Sequence, residues 1–208
     1  MDLLCPPDRI SSDSKRVKVE FGPTIRVASI DPISRVHLRW NGKMSGRVLG
    51  DAWERSYGDL EWRGLVPERP LPWYFVMDNG FGAGVKTQPG AFCFWRVDPK
   101  GVSLFLDLRS GGVGVELGNR AIEAASIVIA QAESPFHAAK ALCRKMCDAP
   151  RLPERPVHGG NSWYFTYGKG LTGDMILDGS RRLAQMGRGL YMVVDAGWQP
   201  RLECNGAP

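Results

Sequence analysis

The sequence is short of histidine, has no even set of cysteines and contains no long apolar run, and each shortage removes a class of function. The three histidines among 208 residues, His37, His137 and His158, stand apart in the chain, and their spacing assigns no Ser-His-Asp or Cys-His arrangement. Five cysteines, at 5, 93, 143, 147 and 204, are odd in number and unevenly spaced, which argues against a disulfide framework. Cys143 and Cys147 are four apart and would share a helix face. A zinc site normally takes four ligands and no partner set accompanies them, so both are expected as small buried side chains. The glycines at 80, 82 and 84 look like a flexible turn region and lack the Gly-Lys-Ser/Thr ending of a phosphate loop. No metal and no cofactor are expected. No run approaches the roughly 20 residues of a membrane span, and none near residue 1 precedes a small-residue cleavage site. The expected setting is therefore reducing and cytoplasmic, with no membrane partner.

Charge excludes little more. Lysine and arginine outnumber aspartate and glutamate by 27 to 22, a net charge of +5, but the basic residues are scattered. Their densest cluster, Lys15-Arg16-Val17-Lys18, falls on an alternating pattern and reads as a solvated strand face. Without a basic stripe or a known module, nucleic acid is not an expected partner.

The hydrophobic fraction, 43%, is ample for a sizeable core. Val17, Val19 and Phe21 alternate with Lys18 and Glu20, residues 24–30 follow as a second strand, and Val36, Leu38 and Trp40 alternate with His37 and Arg39, as half-buried strands do. Trp53, Tyr57, Trp62 and Trp73 lie in a turn-rich stretch where packing is the expected role and sugar contact the alternative. Residues 73–77 lead into Asp78-Asn79-Gly80, where Asp78 is expected to serve a turn. Residues 91–97 and 102–108 flank Asp98-Pro99-Lys100-Gly101 as a hairpin, with Val102, Leu104, Leu106 and Leu108 on one face and Ser103, Phe105, Asp107 and Arg109 on the other. Residues 113–117 and 121–130 are expected to continue the sheet, with a helix as the alternative that the alanines of 121–130 offer. Ser134 and Pro135 then open a helix that ends before Pro150.

Proline at 150, 153 and 156 interrupts regular structure. The predicted division is a β-sandwich-like domain over 1–148, a linker over 149–156 and a barrel-like segment over 157–208. That last segment is predicted as strand, helix, strand. Residues 162–167 read as an aromatic strand closed by Gly168, and a helix over 174–186 has Thr172 as its cap. Residues 189–194 form an apolar strand, of the kind seen where a parallel sheet is covered on both faces. Asp195 follows at the strand's C-terminal end, where α/β proteins gather their chemistry. The fold class is thus mainly β, an antiparallel β-sandwich followed by an incomplete (β/α) barrel segment.

Asn161-Ser162-Trp163, a helix, and then Val194-Asp195-Ala196-Gly197-Trp198 resemble the first two barrel strands of the α-galactosidase-like glycoside hydrolases, a clan that includes raffinose synthases. The resemblance is strongest over residues 159–199. It implies that Asp195 and Trp198 contact a sugar such as an α-linked galactoside, and that the reaction is of the retaining type. Trp163 either frames the sugar pocket with Trp198 or packs in the barrel, and Asn161, the fourth substrate-site candidate, either orients the nearby carboxylate by a hydrogen bond or fixes a turn. The family has two consecutive aspartates at the second strand end, and Ala196 stands in place of the second; alanine offers a hydroxyl no hydrogen bond. The family's two catalytic carboxylates lie on later strands, and a closed barrel takes about 250 residues, far more than 157–208. No catalytic residue is therefore assigned, and the chain is expected to be an inactive hydrolase fragment. The alternatives are a carbohydrate-binding or structural β-domain without catalysis, and a subunit whose open barrel segment is covered by self-association or a partner chain.

Overall fold

A computed structural model describes residues 2–50, 61–118, 120–167 and 170–198. The chain divides into two compact units, Met1–Pro150 and Arg151–Pro208. Trp53, Tyr57, Gly168 and Cys204 lie outside the described residues.

The first unit is built from β1 (Arg9–Ser12), β2 (Val17–Glu20), β3 (Ile25–Ser29), β4 (Arg35–Asn41), β5 (Val48–Gly50), β6 (Leu71–Pro72), β7 (Tyr74–Met77), β8 (Phe81–Val85), β9 (Phe92–Asp98), β10 (Gly101–Asp107), β11 (Ala121–Ala125), β12 (Ile127–Gln131) and α1 (Pro135–Met146). Its strands form three sheets, ordered β1-β4-β10-β9-β6, β11-β3-β2 and β12-β8-β7-β5. The described strand pairs in all three are antiparallel. The fold is mainly β, as its alternating sequence predicts.

Alternation decides which face is buried. In register, Leu38 of β4 faces Leu104 of β10, which faces Trp95 of β9, and all three are fully buried. That row packs in one core with Ile25 and Val27 of the three-stranded sheet and Phe75, Met77 and Val85 of the four-stranded one. Trp95 meets Phe75 edge to face at 5.6 Å. Its indole N–H donates to the Trp73 carbonyl, and that of Trp40 donates to the Cys5 carbonyl, so neither large ring leaves a polar group unpaired in the core. Cys93 lies in the same layer, and burial pushes its thiol up to about 12.

The opposite face of the five-stranded sheet carries a ladder that the spacing of single residues does not reveal. His37 stacks on Phe105 at 4.3 Å, and Phe105 on Phe94 at 4.7 Å. Arg96 lies over Phe105. Burial, then the charges of Arg39, Arg9 and Arg96, hold the His37 imidazole below its usual value. Around the rings, Arg39 grips Asp98 through both terminal nitrogens, at 2.6 and 2.9 Å. Arg109 and Arg35 both donate to Asp107.

Several expectations need correction. Residues 113–117 make isolated bridges, Ile33 to Val115 and Ser110 to Val113, instead of a strand, because three glycines, at 111, 112 and 114, interrupt the stretch. Residues 121–130 divide into β11 and β12, with a bulge between Glu123 and Ala125 and a transfer from one sheet to the next at Ser126. Gly82 and Gly84 are strand residues. A Cβ at Gly84 would lie 3.1 Å from the Met146 sulfur and one at Gly82 3.5 Å from Leu142, so the missing side chains let α1 lie close on β8. Cys143 is exposed and Cys147 half-buried, since the face of α1 turned to the sheet is that of Ala138 and Leu142. Ser134 caps α1 by accepting from the His137 amide, as predicted. Trp62 and Trp73 pack: Trp62 against the cluster under α1, Trp73 edge to face on Phe92 at 4.7 Å.

Asp107 supplies the first prediction. The Arg109 guanidinium, opposed by burial and aided by the Arg109 amide and Arg35, lowers its carboxyl from 3.8 to about 2. The carboxylate form is favoured by folding, so this stabilisation is complete above the unfolded value near 4 and lost as pH falls through about 2. Denaturant unfolding from pH 6 to pH 2 should show Asp107→Asn losing on the order of 2 kcal/mol at pH 6 and almost nothing at pH 2. An equal loss at both ends would refute the charge-based account.

Candidate functional site

The second unit contains β13 (Gly159–Asn161), α2 (Trp163–Thr166), α3 (Gly173–Met186) and β14 (Tyr191–Val193). β13 and β14 are parallel, with Gly159 opposite Tyr191 and Asn161 opposite Val193. Glycine sets this geometry. A Cβ at Gly159 would stand 1.9 Å from the Tyr191 carbonyl oxygen. One at Gly160 would meet Leu183, and one at Gly179 would lie 3.0 Å from the end of Met192, so these positions let α3 press on the strands. Thr172 caps α3 by accepting from the Met175 amide.

The predicted strand over 162–167 is instead the short helix α2. Asn161 causes the break, because its side-chain oxygen accepts the Trp163 amide at 2.7 Å and competes with sheet pairing. Ser162 takes a helical backbone conformation, and Tyr167 ends the turn in a left-handed one. Trp163 consequently starts a helix, half-buried, with its ring against Tyr167 at 5.9 Å.

The same asparagine reaches the second strand. Its amide donates to Asp195 Oδ2 at 3.0 Å. Ser162 Oγ accepts the Asp195 backbone amide at 3.0 Å, while the Ser162 amide donates to the Val193 carbonyl. The ends of the two strands are thus tied by three hydrogen bonds from adjacent residues. Ser162, only 2% exposed, stands in the Asn161-Ser162-Trp163 element but is not among the predicted site residues, and its place directly after Asn161 is the signal that could have found it. Asp195 Oδ1 accepts from the Ala196 amide at 2.7 Å. That bond, then the one from Asn161, holds the carboxyl below the ordinary 3.8. The group is ionised at neutral pH, half-exposed, and each oxygen retains a lone pair for a further donor.

The arrangement can hold hydroxyl groups. It brings Asn161 and Asp195 together, with Trp163 bonded to Asn161 through its amide, and leaves Trp198 70% exposed three residues on. Ala196 contributes only backbone to the cluster. Among the described residues no second carboxylate bonds into it, and none form a group of three or more His, Cys, Asp or Glu able to hold a metal ion. β14 is not covered on both faces within this unit: Tyr191 and Val193 are 55% and 50% exposed, which corrects the expectation drawn from its unbroken apolar run.

No protein-family model matches the chain, and no curated protein matches it. Among solved structures, it is similar to the cycloalternan-degrading enzyme from Trueperella pyogenes, with a TM-score of 0.44 and 15% identity. The match covers 89% of this chain and 27% of that enzyme.

Asn161→Ala should raise the Asp195 carboxyl toward the ordinary aspartate value, because the carboxylate, the stronger acceptor, loses more than the neutral acid when the amide donor goes. An NMR titration of the carboxyl carbon checks this. An unchanged titration curve would mean that the Asn161 to Asp195 bond does not persist in solution.

Proposed function

We propose that this chain is part of a retaining, α-galactosidase-like glycoside hydrolase, and that Asp195 holds a sugar hydroxyl instead of breaking the glycosidic bond. The observation that supports the reading is the clamp of Asn161 and Ser162 on Asp195 at the C-terminal ends of two parallel strands. A pre-ionised carboxylate with spare lone pairs suits hydroxyl binding, and its fixed orientation lowers the ordering that binding requires. Trp198 is the aromatic wall on this reading, Trp163 and Asn161 its support.

Hydrolysis commonly takes two carboxylates flanking the bond, and among the described residues Asp195 is the one carboxylate bonded into its cluster. The reading is therefore binding without turnover, for an α-linked galactoside. The exposed apolar surface of Tyr191, Val193 and Phe165 supports a covering by further βα structure, whether from a partner chain or a second copy.

Titration with methyl α-galactoside, followed by tryptophan fluorescence, tests the proposal. Binding should be weak and saturable, and Asp195→Ala should reduce affinity by about tenfold. Ala196→Asp restores the paired carboxylates of the resembled family and should strengthen binding severalfold. Binding should persist below the pH at which an ordinary aspartate protonates, because the folded carboxyl is lowered. Equal affinity in wild type and Asp195→Ala would exclude the assigned role, and steady release of nitrophenol from a nitrophenyl α-galactoside would exclude the non-catalytic reading.

A further inference from the structure

A groove of about 510 Å³ opens at one end of the four-stranded sheet, in the Met1–Pro150 unit, and uses none of the residues of the Asp195 cluster. Its apolar lining includes Met77 and Phe81, at adjoining ends of β7 and β8, and Ile129 in the middle of β12. Its polar lining comes from three other places: Asp2, the loop Lys43-Met44-Ser45, and the pair Asn79 and Gln131.

The walls are fixed before any ligand arrives. The Met44 amide donates to the Pro99 carbonyl and the Gly42 amide to that of Lys100, which pins the Lys43 loop on the β9–β10 hairpin. Beside it Gly46 has φ +99°, and a Cβ there would fall 2.4 Å from Asp78 Oδ1. On the far side Gly80, at φ +80°, passes so close to Ala132 that a Cβ would lie 2.1 Å from its carbonyl oxygen. Asn79 Oδ1 accepts the Phe81 amide, and Gln131 Nε2 donates to the Asn79 carbonyl. These bonds occupy one end of each carboxamide. The Asn79 amide NH2 and the Gln131 side-chain oxygen have no partner among the described residues, and the same holds for the Lys43 ammonium and the Ser45 hydroxyl. Asp2 is bonded to the Leu4 amide and the Cys5 thiol, which lower its carboxyl and keep it ionised.

Donors and acceptors therefore alternate around an apolar floor that includes one aromatic ring. A ligand that fits must present hydroxyls able both to give and to accept hydrogen bonds, together with a C–H face to lie on Phe81 and Ile129. We propose that this groove is a saccharide-binding site on the β-unit, sized for one or two sugar rings. It stands whether or not Asp195 binds sugar.

The test is an NMR titration of the full chain with raffinose, maltotriose and N-acetylchitotriose at millimolar concentrations. At least one should shift the amides of Lys43, Ser45, Asn79, Phe81 and Gln131 in a saturable way. Lys43→Ala, at a solvent-facing position, should weaken that binding by about fivefold or more with an unchanged melting temperature, and Gln131→Ala should weaken it as much while also losing the bond to the Asn79 carbonyl. Ile129→Trp should block it by filling the floor. Asp195→Ala should leave it intact, which separates this site from the other. Absence of shifts with all three sugars would overturn the proposal. So would shifts produced equally by leucine or acetate, which would assign the groove to a zwitterion or a simple anion.

Discussion

Burial of one face of the five-stranded sheet is the constraint on which the β-unit depends. Both smaller sheets lean on it: Ile25 and Val27 of one, and Phe75 and Val85 of the other, share a core with the Leu38, Leu104 and Trp95 row, and the four-stranded sheet carries α1 on its other face. A side-chain period of two then fixes everything beyond that face. Once Leu104 points inward, Ser103 and Phe105 must point outward, and the stacked rings and paired arginines follow from the register of three strands. The bulge in β11 and the step at Ser126 are how one stretch of chain serves both smaller sheets.

The second unit rests on a different economy. Its strands are three residues each, too short to set their own ends, and side chains take over that role. One carboxamide ends β13, opens α2 and reaches the carboxylate after β14. Local folding and the chemistry of the site are therefore the same set of bonds, and removing Asn161 would be felt in both.

The parts legible in the sequence were those governed by neighbours along the chain. The alternation of Val17, Val19 and Phe21, the hairpin at Pro99-Lys100 and the caps at Ser134 and Thr172 all depend on residues within a few positions. What stayed hidden depends on contacts distant in sequence. Gly82 and Gly84 look like turn residues until α1 is placed on them. His37 looks isolated until Phe105 lies beside it, and the aromatic run after Ser162 looks like a strand because composition says nothing of the Asn161 oxygen waiting for the Trp163 amide. The groove beside Lys43 joins four separate segments, none of which carries a motif.

Cys93 turns the core into a clock. Its thiol sits in the closed layer between sheets, fully buried and held in its protonated form, whereas Cys5 and Cys143 are exposed. A thiol-reactive dye would mark the exposed sulfurs at once and reach Cys93 only when the sheets part. The delayed label would report how often this sandwich opens, a number that belongs to the fold's kinetics and is read from a cysteine already in the sequence.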